Sequence, residues 1–105
     1  MPHLLLLLNI PVSDDRAFAR QFHKVSAKAL GKPEAAITIN ITYNGTHAKG
    51  FLAFGLTVVG LDNPDSQVQE ECKAIFFKFF TEELGIPEDR GFIHFHNPAY
   101  LGSAT

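Results

Sequence analysis

From His3 to Leu8 the chain is apolar without alternation. That is the pattern of a short interior strand buried on both faces, and Pro11 closes it because proline has no N–H to give a ladder. Ser13 then offers an N-cap, Asp14 and Asp15 occupy a first turn where the helix dipole favours anions, and Phe18, Phe22, Val25 and Ala29 recur at helical spacing. The spacing predicts an amphipathic helix. Gly31 suits the left-handed conformation that ends a helix and Pro33 blocks its continuation, so it stops near Leu30.

Residues 37–43 alternate apolar and polar positions with β-branched enrichment, the mark of a half-buried strand, and Asn44-Gly45 turns the chain. Residues 51–59 read as a third strand, broken by residues 60–64. Asn63 as N-cap with Pro64 at the first helical position starts a second helix, whose stripe is Val68, Cys72, Ile75, Phe76 and Phe79 and whose end is Gly85. Phe77, Phe80 and Leu84 fall outside that stripe, which points to a second apolar side facing another subunit. Residues 91–96 form a last short strand, followed by an irregular tail. The order is two β-α-β units in tandem, and right-handed crossovers place both helices on one face of a four-stranded mixed sheet.

A chain of 105 residues fits one domain, here residues 1–105, and 46 % apolar residues with ten Phe make an aromatic-rich core. The formal net charge of −2 leaves no basic footprint for nucleic acid. The single cysteine, Cys72, has no partner for an internal disulfide and sits among apolar helix positions, where packing is its expected role. Residues 4–8 are too few for a signal-peptide core and lack a basic flank, and no run reaches the roughly 20 apolar residues of a membrane span. A cytoplasmic setting is therefore the expectation, with any export by a route that uses no signal peptide.

Three clusters resemble the macrophage migration inhibitory factor and D-dopachrome tautomerase family. They are Met1-Pro2 leading at once into a strand, Gly31-Lys32-Pro33 at the first helix end, and Glu82-Glu83-Leu84-Gly85-Ile86-Pro87-Glu88-Asp89-Arg90 before the last strand. Val58-Val59-Gly60 resembles the family's strand end before the second helix, and Phe76-Phe77-Lys78-Phe79-Phe80-Thr81-Glu82-Glu83-Leu84 is most similar to the D-dopachrome branch. The resemblance weakens between Tyr43 and Phe51 and after His96. It implies a homotrimer in which three sheets face inward, and a keto–enol tautomerase acting on phenylpyruvate-like or dopachrome-like small acids. For an exported copy it implies a cell-surface receptor.

By the same resemblance, methionine removal leaves Pro2 as the N-terminus, and its secondary amine moves a proton between carbon and oxygen of the substrate. Such an amine must be substantially neutral near pH 7, so the reference value of roughly 8 has to be lowered by apolar burial or nearby cations. Lys32 matches the lysine that pairs with the substrate carboxylate, although a lysine at a helix C-terminus is favoured by the dipole alone. Val59 matches a position whose backbone N–H meets substrate, its side chain reading as core. Phe92 and His94 stand where the best-known relatives carry a tyrosine and an asparagine, and the tail after Gly102 is shorter. These departures favour an alternative, a cytokine-like binding protein that keeps the fold with little catalysis. His94 and His96 share a face of the last strand, yet zinc requires more ligands than these, so neither metal nor cofactor is expected.

Overall fold

A computed structural model of the chain describes residues 2–44, 52–61 and 64–96, apart from the side chain of Glu88. Gly45, Phe51, Asn63 and the tail 97–105, on which parts of the sequence reading fall, lie outside them. The apolar run after Pro2 is a strand, β1 (His3–Leu8), followed by α1 (Asp15–Leu30) and β2 (Thr38–Tyr43). The second unit is β3 (Phe54–Val59), α2 (Ser66–Leu84) and β4 (Gly91–His96). Their sheet order is β2-β1-β3-β4. β1 runs parallel to β2 and β3 parallel to β4, while β1 and β3 meet antiparallel at the centre with His3 opposite Val59 and Leu8 opposite Phe54. The expected mixed sheet of two β-α-β units is what forms.

Both helices bury against one face, and this corrects the reading of β1. Leu4, Leu6 and Leu8 are fully buried, whereas Leu5 and Leu7 are each 41 % exposed. Successive strand side chains point to opposite faces, so a central strand with helices on one side has one bare apolar row within the single chain.

The buried line of α1 is Phe18, Phe22, Ser26 and Leu30, and that of α2 is Cys72, Phe76 and Phe80. Both advance in steps of four, which traces a ridge inclined to the helix axis and not the straight stripe expected from the sequence. Phe80 is therefore core, while Val68 is 40 % exposed. Phe77 stands edge-on to Phe54 at 5.8 Å, and Leu84 packs on the same core. Part of the apolar excess of α2 is thus taken up by the core of this chain. Phe22 lies at the centre, its ring within 6.3 Å of those of Phe18, Phe76, Phe79 and Phe80. Offset and tilted rings at such separations each add about 0.5–1.5 kcal/mol beyond burial.

The helix starts fall one or two residues later than expected. Asp14, not Ser13, caps α1 by accepting the Ala17 N–H at 3.0 Å, and Asp65 caps α2 by accepting the Val68 N–H at 2.8 Å. A carboxylate at Ncap satisfies an orphan donor and also meets the positive end of the dipole, an advantage that Ser lacks. Pro64 thus precedes the cap, with its carbonyl accepting from the Gln69 side chain. Both ends are as expected, Gly31 and Gly85 standing at φ 64° and 67°. β2 begins at Thr38, not Ile37. β3 begins at Phe54, and Ala53 just before it accepts the Asn9 N–H at 2.8 Å and donates to the Arg90 carbonyl.

Two measurements test this packing. A Cβ on Gly91 would overlap the ring of Phe54, which is 1 % exposed and cannot yield. Gly91→Ala is expected to lower stability by about 1–3 kcal/mol, read by denaturant unfolding. Gly55→Ala meets only the half-exposed Phe92 ring, at 2.7 Å, and is expected to cost less. Cys72 is 1 % exposed and its Sγ donates to the Ala29 carbonyl at 3.0 Å. Burial first, and then the charge of Glu71, push its thiol pKa up. The native protein is expected to resist alkylation at neutral pH until it unfolds; rapid native labelling contradicts the placement.

Candidate functional site

Pro2 is buried immediately before β1, and its carbonyl accepts the Thr38 N–H at 3.1 Å. The same pair of strand ends is joined by side chains, since His3 Nδ1 and Thr38 Oγ1 are hydrogen-bonded. A residue just ahead of a central strand inherits that strand's rigidity, which suits a group that must hold a fixed position.

Lys32 follows the left-handed Gly31. Its N–H donates to the Ala27 carbonyl at 3.1 Å while the Gly31 N–H reaches Lys28, so the last turn of α1 is closed over the point where the chain leaves for β2. The Lys32 side chain is exposed and forms no ion pair among the described residues. Val59 ends β3 opposite His3 on one side and His96 on the other. Its side chain lies on the helix-free face and is half-buried, so the expected core residue is its neighbour Val58, 1 % exposed. The strand register therefore sets Pro2 and Val59 at one end of the sheet, while Lys32 stands six residues ahead of Thr38, whose N–H meets the Pro2 carbonyl.

The two β4 residues are elsewhere. His94 is opposite Thr57 and Phe92 opposite Gly55, two and four residues along the strands from Val59 and His96. At about 3.3 Å per residue those offsets are about 7 and 13 Å, so one chain does not bring Phe92 to Pro2. Phe92 is 46 % exposed and, with Leu5, Leu7, Asn40, Thr42, Gly55 and Thr57, lines a shallow depression of about 330 Å³ on the helix-free face. The His94 and His96 rings stand edge-to-face with centres 4.4 Å apart. By the register, the described residues of this face are Thr38, Asn40, Thr42, His3, Leu5, Leu7, Gly55, Thr57, Val59, Phe92, His94 and His96. None is Asp, Glu, Lys or Arg. No group of three or more His, Cys, Asp or Glu placed to hold a metal occurs among the described residues. No helix among them is long and apolar enough to cross a membrane.

Sequence reasoning overlooked His23, on α1. Its Nε2 lies 2.9 Å from the Glu34 carbonyl oxygen and 3.1 Å from that of Ile37, on the segment after Lys32. No residue pattern announces such a contact, because both acceptors are main-chain atoms.

The model of the family "Macrophage migration inhibitory factor (MIF)" matches residues 1–103. Among characterised proteins, the macrophage migration inhibitory factor homologue of Brugia malayi is 32 % identical over 106 residues, covering 90 % of this chain and 86 % of that one. The homologue of Trichuris trichiura is 32 % identical over 104 residues, covering 90 % and 87 %. Among solved structures, the macrophage migration inhibitory factor of Trichinella spiralis superposes with a TM-score of 0.75 at 22 % identity, over 90 % of this chain and 88 % of that one. The homologue from Prochlorococcus marinus gives 0.74 at 20 %, over 90 % and 86 %. At those identities the structural likeness speaks for the fold, while the family model and the two 32 % relatives speak for descent. With its tandem β-α-β sheet and Pro2 set against the first strand, the chain belongs to the macrophage migration inhibitory factor family.

Proposed function

We propose that the chain is a keto–enol tautomerase acting on small phenylpyruvate-like or dopachrome-like acids, with the Pro2 secondary amine as general acid and base. The observation that carries this reading is the placement of Pro2: buried, tied through its carbonyl to Thr38, and at the same sheet end as Val59. With Met1 removed, the neutral amine takes a proton from the carbon next to the ketone and returns one to the enolate oxygen, so that no group is consumed. Burial in apolar surroundings disfavours the charged amine, and the Lys32 cation acts in the same direction. Lys32 also meets the substrate carboxylate as an unpaired point charge.

Phe92 and His94 reach the substrate in this reading only from a neighbouring copy. The helix-free face supports that arrangement, since Leu5, Leu7 and Phe92 are exposed there with no described formal charge around them. A patch of this composition has the character of an interface core and not of solvated surface. A homotrimer is accordingly the proposed assembly, and the cytosol the proposed compartment. A second reading, a cytokine-like protein that binds a cell-surface receptor and catalyses little, is favoured by Phe92 itself, which brings no phenol to the pocket.

Intact-mass measurement of the natural protein is expected to show a chain beginning at Pro2. Phenylpyruvate tautomerisation followed by ultraviolet absorbance is expected to fall at least about 100-fold in kcat/KM for Pro2→Gly. Lys32→Ala is expected to raise KM about tenfold with a smaller effect on kcat. Retained Met1, or full rate in Pro2→Gly, sinks the mechanism and leaves the binding reading.

A further inference from the structure

Two carbonyl oxygens around one ring nitrogen assign the proton of His23 to Nε2, because a lone pair there would face two acceptors. Nε2–H thereby bridges the start of the 3-10 turn Glu34–Ala36 and the residue just beyond it, Ile37, and ties both to α1. The Nδ1 atom is 3.8 Å from Glu34 Oε1, but the two side chains are 31 % and 52 % exposed, so this pairing contributes little. The carbonyl bridge is the substantial contact.

The segment it holds connects the two charged or basic groups of the proposed site. At one end stands Lys32, bonded back to Ala27; at the other is Thr38, whose N–H donates to the Pro2 carbonyl. Between them, Ala36 N–H to Pro33 and Ile37 N–H to Glu34 shape the turn without fastening it to the rest of the protein. Among the described residues, His23 is the side chain whose hydrogen bonds fasten the middle of this segment. Releasing it loosens residues 33–36, the turn against which Lys32 stands, while Ile37, 4 % exposed in the core, and Thr38 keep the far end attached.

We propose that His23 is a positioning residue for carboxylate recognition. By holding the Glu34 and Ile37 carbonyls it fixes where Lys32 stands relative to Pro2, and so sets the affinity for the acid group of the substrate. This rests on the tautomerase reading. It assigns His23 no contact with substrate and no part in proton transfer, so its loss acts on binding and spares turnover.

The test is steady-state phenylpyruvate kinetics of the wild type, His23→Ala, His23→Gln and Glu34→Gln, with amide hydrogen exchange across residues 32–38. His23→Ala is expected to raise KM about tenfold with kcat within about twofold, and to speed exchange at Ala36 and Ile37. His23→Gln, which keeps an N–H donor at similar reach, is expected to recover most of the affinity. Glu34→Gln is expected to behave as wild type, since the main-chain acceptor is untouched. An active wild type whose His23→Ala variant keeps its KM overturns the positioning role alone. So does a variant in which kcat falls with the melting temperature and Gln gives no rescue, the pattern of a merely structural contact. A wild type that turns over no keto acid overturns both this role and the reading beneath it.

Discussion

The antiparallel pairing of β1 with β3 is the constraint on which the rest of the molecule depends. It joins the two β-α-β halves into one sheet, and its register, His3 opposite Val59 through Leu8 opposite Phe54, decides which residues share each face. A slip of one residue would turn Leu4, Leu6 and Leu8 away from the helices and bring Leu5 and Leu7 in. With the register as it is, two helices meet one face through a nest of Phe rings, and the opposite face is left with apolar side chains and no described formal charge. The same pairing sets Pro2 beside the end of β3, so the position of the proposed base follows from the core and not from a loop.

Most of this architecture is legible in the sequence. Gly31 and Gly85 ended their helices as read, because only a left-handed residue closes such a turn without steric penalty. The alternation of β2 was equally direct. The apolar run of β1 was harder, since residues 4–8 look the same whether their second face is covered within the chain or by another copy. The stripe of α2 misled for a different reason. A sum over helical angles treats the contact line as parallel to the axis, whereas Cys72, Phe76 and Phe80 follow an inclined ridge. The caps were displaced because Asp14 and Asp65 compete with Ser13 and Asn63 only a residue or two away, within the ordinary uncertainty of helix ends.

Legibility at the site divides along the same physical lines. Pro2, Lys32 and Val59 were reached through the family resemblance; the strand start, helix end and strand end fix where each stands in the chain but give none of them a role. The nearness of Pro2 and Val59 follows from the central register. Phe92 and His94 fall on β4 as read, but the register sets Phe92 away from Pro2 within the chain. His23 was invisible because its partners are carbonyls 11 and 14 residues away, contacts that any sequence in that segment would offer.

In the proposed assembly other copies of this chain cover the helix-free face, and Phe92 and His94 there meet a neighbour's Pro2. Sedimentation equilibrium at neutral pH measures this most directly. A single species with the mass of three 11.6 kDa chains, persisting on dilution, is expected. A stable monomer, with Leu5 and Leu7 left in water, would contradict it.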